Sequence, residues 1–287
     1  MGLTFTIVDV FAEERYAGNP LAVVRGAAGL PDTTLQAITR EMNYSETSFI
    51  LSEEERDGGY DVRIFTPGGE VPFAGHPTLG TAYVISDEVL ASPAERVALN
   101  LEAGRIPVTF GDVLWMRQLP PTFGPTLDPD TLARVLGLDV ADLDARFPVQ
   151  EVSTGLPAVI VPLGSLDALG RCRTDLDLYR ASAAAGKNLY AFCPGPHPGG
   201  PGDLSARMFS GDLDIPEDPA TGSAAGCLAG YLVEHRYFGS DAVEARVEQG
   251  YEMGRPSLLY LRAGREGGEI GISVGGKVQM VARGELV

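Results

Sequence analysis

Three side chains in this sequence could carry a proton, and a fourth could donate a hydrogen bond beside them. Glu46 lies in SETSFIL (residues 45–51), at the entry to an apolar run of strand character, where a carboxylate gains little unless solvent or a ligand reaches it. His76 lies in AGHPTLGTA (residues 74–82), and Asp218 and Ser223 share EDPATGSAAG (residues 217–226). Carboxylates and imidazole are the usual general acids and bases, so the chemistry indicated is proton transfer. Each has a plainer role available: a histidine at a loop–helix junction can cap, and aspartate is a preferred N-cap. Glu46 is the hardest to explain structurally. Phe49, Ile50 and their neighbours are expected to shield it and raise its pKa towards a working pH.

Both the His76 and the Asp218 stretch put a polar residue before proline and an Ala- and Gly-rich apolar run after it. That pattern predicts a loop delivering the chain into a buried helix with Pro near its first turn. Open N–H groups at such a helix start suit an anion, with a dipole contribution of roughly 0.3–1 kcal/mol per helix. A small carboxylate is therefore the expected guest.

The elements that must position these groups occur twice. Residues 63–82, RIFTPGGEVPFAGHPTLGTA, reappear altered at 207–224 as RMFSGDLDIPEDPATGSA, which puts His76 and Asp218 at equivalent points. The flanks repeat in the same order: FTIVDV (5–10) with FPVQEV (147–152), GNPLAVV (18–24) with GLPAVIV (155–161), and LEAG (101–104) with VEQG (247–250). Ordered matches of this kind predict a tandem duplication with a site in the cleft between the halves. Short strands, many turns and one nearly all-apolar helix per half predict an α+β fold, a curved, mostly antiparallel sheet wrapped around each central helix.

In chain order, residues 4–10 read as a strand, Gly18-Asn19-Pro20 as a turn, 21–24 as a second strand and 33–42 as an amphipathic helix. The Pro- and Gly-rich segment 120–125 is the expected linker, followed by short helices over 128–136 and 140–146. Residues 194–202 read as mobile surface loop with His197 in solvent. The helix after Gly222 is expected to end near His235, where the helix dipole favours a histidine.

Composition excludes several classes of function. Lys and Arg number 22 against 39 Asp and Glu, and the net charge of −17 opposes a phosphate backbone or an anionic membrane surface. Cys172, Cys193 and Cys227 lack CxxC spacing and accompanying histidines, so they read as small buried hydrophobes and no metal is expected. No dinucleotide or P-loop signature is present, and no cofactor is expected. The N-terminal residues have no secretory character and no long apolar segment occurs, so the expectation is a cytoplasmic protein without membrane contact.

Taken together, GNP at Gly18, SETSFI at Ser45, RIFTP and PFAGHPTLGTA in 63–82, EDPATGSAAG at Glu217 and QGYEMGRPS at Gln249 resemble the PhzF family of phenazine-biosynthesis isomerases along essentially the whole chain. The resemblance implies the diaminopimelate epimerase-like fold, with two similar domains, a closing strand that returns to the first, and a homodimer. The corresponding boundaries are 1–118 plus 277–287, and 119–276. It implies a cofactor-independent isomerase in which Glu46 is general base and acid, with His76, Asp218 and Ser223 in supporting roles. Asn19, Ser45, Gly75 and Gly222 form the implied substrate-binding set. The epimerase relatives use two thiols at these loops, and neither loop here contains cysteine. Another enzyme on the same scaffold, such as a non-thiol epimerase, and a non-catalytic carboxylate-binding protein are the alternatives.

Overall fold

Alternation begins at the first strand. In the computed structural model, which describes residues 2–92, 94–210 and 216–287, Thr6, Val8 and Val10 of β1 (Leu3–Val10) are buried while Ile7 between them is partly exposed. β1 pairs antiparallel with β2 (Asn19–Arg25) on one side and with the C-terminal strand Val278–Leu286 on the other. β2 and β3 (Thr47–Ile50) are parallel, Ala22 opposite Thr47, so a crossover is obligatory. That crossover is α1 (Asp32–Met42), which Asn43 ends in the left-handed region, φ 55°. β4 (Tyr60–Thr66) pairs antiparallel with β3 and with β5 (Gly69–Val71). The helix α2 (Gly75–Val84) follows, then a meander of β6 (Arg96–Leu101), β7 (Gly104–Thr109) and β8 (Leu114–Arg117). These elements belong to one compact unit, Met1–Arg117 with Gly275–Val287.

Residues of α2 other than Tyr83 are buried, and the helix packs on β1, β2, β3, β6, β7 and β8. An apolar helix of this kind needs protein on every side. Its closest approach is at Gly80, where a Cβ would stand 2.6 Å from Leu21 Cδ2 and 2.9 Å from Val10 Cγ2. The α1 face has its own core of Val24, Ala27, Leu35, Phe49 and Phe65, the two rings edge to face at 5.5 Å. Phe49 is therefore committed to the α1 side. Strand alternation turns Ser48 and Ile50 the other way.

The second unit is Gln118–Val274. The segment expected as a linker is a strand, β9 (Thr122–Thr126), antiparallel to β10 (Gln150–Ser153). Gly124 and Pro125 fall at a register shift in that ladder, where an irregular strand tolerates a residue without an N–H. α3 (Pro129–Val135) is capped by Asp128, whose carboxylate accepts from Thr131 N at 3.0 Å. The helix expected over 140–146 is a single 3-10 turn, Val140–Asp142, closed by a reciprocal Asp139–Asp142 capping box and followed by extended Leu143. β11 (Pro157–Pro162) is parallel to β12 (Asn188–Pro194), and α4 (Leu166–Arg171) and α5 (Leu176–Ala181) lie in the crossover. β13 (Leu204–Phe209) continues antiparallel from β12, and β14 (Glu217–Asp218) pairs with its end. Residues 211–215 of the second repeat copy lie outside the described residues.

α6 (Gly222–Glu234) is buried from Gly222 to Val233 and packs on β10, β11, β12, β15 (Ala242–Gln249) and β16 (Ser257–Glu266). β15 is parallel to β13 and antiparallel to β16, and β17 (Glu269–Gly276) follows. The chain is thus a mixed fold of helices and extensive, mostly antiparallel β-structure. Among the described residues no helix is long and apolar enough to cross a membrane.

His197 departs from expectation. Its ring stacks on Tyr251 at 4.0 Å, and Nδ1 is 3.0 Å from Glu248 Oε2. Glu248 is fully buried, and its carboxylate also accepts from His197 N and Gly202 N, at 2.7 and 2.8 Å. A buried carboxylate must be hydrogen-bonded. The Gly-rich loop supplies those donors, and it draws His197 out of solvent.

Candidate functional site

In the first unit the sequence-predicted residues collect where the parallel strands begin. Asn19 starts β2 and is fully buried, and Ser45 and Glu46 lead directly into β3. α2 packs on both strands and brings His76 to Glu46: Nε2 lies 3.5 Å from Oε2, with the imidazole 5% and the carboxylate side chain 18% exposed. That separation is long for a hydrogen bond, and His76 Nε2 is a buried polar atom without a hydrogen-bond partner among the described residues. Burial drives the imidazole down to about 3, so His76 is neutral near pH 7. It presents a dipole to its neighbour, not a cation.

His76 does not cap α2. The N-cap is extended Ala74, which offers no side-chain oxygen, while Gly75 and His76 open the helix and Pro77 sits in its first turn. The helix begins without a side-chain acceptor for its first N–H groups, the condition under which a helix start receives an anion.

In the second unit Asp218 ends β14, opposite Met208, and is not the cap of α6 either. Pro219 lies before the helix instead of within its first turn. The N-cap is Thr221, and it too makes no side-chain cap bond: its hydroxyl donates to Asp218 Oδ2. Gly222 and Ser223 then form the first turn, Ser223 being 9% and Asp218 8% exposed. Both helices that carry the predicted motifs thus start uncapped.

Two buried glutamines support this turn without having been singled out for any role. Gln249 bonds to Asp218 O and Thr221, and Gln118 Nε2 donates to Gly222 O at 2.9 Å while Thr154 Oγ1 donates to its Oε1 at 2.7 Å. An amide that closes a turn has no spacing signature, but QG at the end of a strand does mark a polar side chain where an apolar one would pack.

The three cysteines are buried and free. Burial pushes the thiols of Cys172 and Cys193 up to about 12 and that of Cys227 to about 11, so all three stay protonated at neutral pH. Cys227 faces Thr154 Oγ1 at 3.7 Å and Leu156 O at 3.5 Å, inside the packing around α6. Among the described residues no group of three or more His, Cys, Asp or Glu is arranged to hold a metal ion.

A family model for phenazine biosynthesis-like proteins, PhzC-PhzF, matches residues 8–284. A trans-2,3-dihydro-3-hydroxyanthranilate isomerase from Pseudomonas aeruginosa is 36% identical over 265 residues, covering 90% of each chain. Among solved structures, a PhzF-family phenazine biosynthesis protein from Bacillus anthracis superposes with a TM-score of 0.91 at 26% identity, covering 100% of both chains. A predicted epimerase from Pseudomonas aeruginosa gives a TM-score of 0.81 at 34% identity, covering 99% of both.

Proposed function

Since this chain belongs to the phenazine biosynthesis-like PhzC-PhzF family and is an isomerase, we propose that it moves a proton between two carbons of a small carboxylate substrate, with Glu46 as the single base and acid. The observation that carries this reading is the Glu46–His76 pair: a largely shielded carboxylate at the entry of β3 beside a neutral imidazole with an orphaned Nε2 in the first turn of an uncapped helix. An unsatisfied buried nitrogen costs free energy, roughly 1–3 kcal/mol, and such a cost is tolerated where a substrate supplies the missing partner.

In this reaction Glu46 takes a proton from one carbon, the electron pair left behind shifts a double bond along the substrate, and the same carboxyl, its proton exchanging with solvent in the interval, delivers a proton to the carbon at the far end. Nothing is oxidised or reduced, and no group is lost. The neutral His76 stabilises charge that develops during transfer without competing for the proton. In the first unit the binding set for a substrate carboxylate is the backbone N–H at Gly75 with Asn19 and Ser45, and in the second unit the groups assigned to substrate hydrogen bonding are the backbone N–H at Gly222 with Asp218 and Ser223. The ordered sequence repeats are read as a duplication that supplied both helix starts.

The isomerase relative makes trans-2,3-dihydro-3-hydroxyanthranilate the first compound to test, within a panel of cyclic and amino-acid-like carboxylates. Incubation in D₂O with mass-spectrometric detection should show deuterium gained and a double bond moved. Exchange accompanied by inversion at a carbon would favour an epimerase, the activity named for the relative at 34% identity. The protonated, buried cysteines would leave that epimerase without a thiolate pair. Absence of exchange across the panel would count against enzymatic proton transfer.

A further inference from the structure

Gln249 ends β15 and is fully buried, and every hydrogen-bonding position of its amide is used. Nε2 donates to Asp218 O at 2.8 Å and to Thr221 Oγ1 at 3.2 Å, while Oε1 accepts from Thr221 N at 3.2 Å and from the Tyr190 hydroxyl at 3.0 Å. The orientation of the amide is not a free choice. Asp218 O can only accept and Thr221 N can only donate, so nitrogen must face the first and oxygen the second. Burial raises the Tyr190 phenol far above its usual range and keeps its proton in place as the fourth partner.

The polarity of the amide passes one step further. Because Thr221 Oγ1 accepts from Gln249, its own proton is directed at Asp218 Oδ2. Gly250 continues the grip: a Cβ there would lie 2.6 Å from Pro219 O, so only glycine lets the strand end close against the turn. Ser257 Oγ, donating to Pro219 O at 3.0 Å, holds the same peptide from β16.

We propose that Gln249 is the positioning residue for Asp218, fixing the backbone of 218–221 and, through Thr221, the rotation of the carboxylate. This rests on the reading that Asp218 hydrogen-bonds the substrate. A side chain that orients such a group acts on turnover more than on binding, because a small misplacement is felt most in the transition state.

The test compares wild type with Gln249→Leu, which keeps the volume and removes all four bonds, and with Tyr190→Phe, which removes one hydroxyl and leaves the amide. Amide hydrogen exchange read by mass spectrometry should accelerate at least about tenfold in the peptide containing 218–223 of Gln249→Leu, with β1 peptides unchanged. On a substrate turned over by wild type, kcat should fall by about tenfold or more while KM stays within about threefold. Tyr190→Phe should move both readouts in the same direction by less, and it carries the test if Gln249→Leu does not fold. Unchanged exchange at 218–223 would overturn the clamp. Faster exchange with unchanged kcat would overturn the positioning role. If wild type turns over no member of the panel, the functional reading has failed and the catalytic half of this proposal falls with it, while exchange still decides the clamp.

Discussion

Glu46 Oε2 stands 3.5 Å from His76 Nε2, a ring nitrogen with no hydrogen-bond partner among the described residues, and both side chains are mostly shielded from water. The two residues come from opposite kinds of element, a strand entry and a helix first turn, and α2 packing on β3 brings them together. A carboxylate next to a neutral imidazole can take up and release a proton without an ion pair holding it in one state.

Glu46→Gln keeps the shape and removes the proton carrier. Deuterium incorporation from D₂O into a substrate turned over by wild type should drop by roughly 10²–10⁴-fold, at unchanged thermal stability. Equal exchange rates in the two proteins would make Glu46 a structural residue.

His76 gives the stability a defined pH dependence. Its pKa is held at about 3 by burial against 6.5 for the free side chain, so on acidification the unfolded chain binds the proton first. Stability present above pH 6.5 is therefore lost as pH falls from 6.5 towards 3. His76→Gln removes this titration. Between pH 7.5 and 5, wild type should lose about 2 kcal/mol relative to the variant in urea unfolding, the equivalent of roughly 1.5 pH units of linked protonation. Parallel pH profiles would show that the imidazole is solvated in the folded protein.

Two glycine-to-alanine changes separate packing from helix propensity. At Gly80 a methyl group would overlap Leu21 and Val10, so Gly80→Ala should destabilise by about 1–3 kcal/mol. At Gly170, in α4, nothing stands within 4 Å of the added Cβ, and Gly170→Ala should be neutral or stabilising by up to about 1 kcal/mol. Denaturant midpoints of the two variants shifting the same way would contradict this assignment of the α2 contact.

Much of the local structure behind the site was legible because it rests on local chemistry. The apolar runs after His76 and Asp218 form buried helices, and the period of Leu35 and Ile38 gives α1. What escaped depended on partners distant in sequence. Nothing near His197 indicates that Glu248 will draw its loop inward, and the prolines of 120–125 disguise a strand whose ladder partner, β10, lies beyond α3. Capping is the plainer role open to Asp218, and spacing alone cannot show that Thr221 occupies the N-cap position and spends its hydroxyl on Asp218. Proximity in sequence makes Phe49 a shield for Glu46, but strand alternation commits it to the α1 core.

An arginine opens each of the two sequence repeats, Arg63 in the first and Arg207 in the second. Arg63 lies over the Phe65 ring at 5.0 Å and Arg207 over Phe209 at 4.7 Å, so the same local relation holds at both. Their surroundings differ. Arg63 is 26% exposed and pairs with Asp32, itself 75% exposed, and with Glu70. Arg207 is 5% exposed, makes two 2.8 Å bonds to Glu217, and donates to Leu169 O and Cys172 O at 3.1 Å. Removing Arg63 forfeits solvent-screened pairs, which contribute little to stability. Removing Arg207 strands a shielded carboxylate and two buried carbonyls, and breaking such a pair costs about 3–5 kcal/mol. Arg207→Ala should therefore lower the denaturation midpoint far more than Arg63→Ala, and added salt should shrink the Arg63 effect while leaving the Arg207 effect nearly intact. Similar losses with similar salt dependence would mean that the Arg207 network is open to water in solution, and burial would no longer explain the difference between the two motifs.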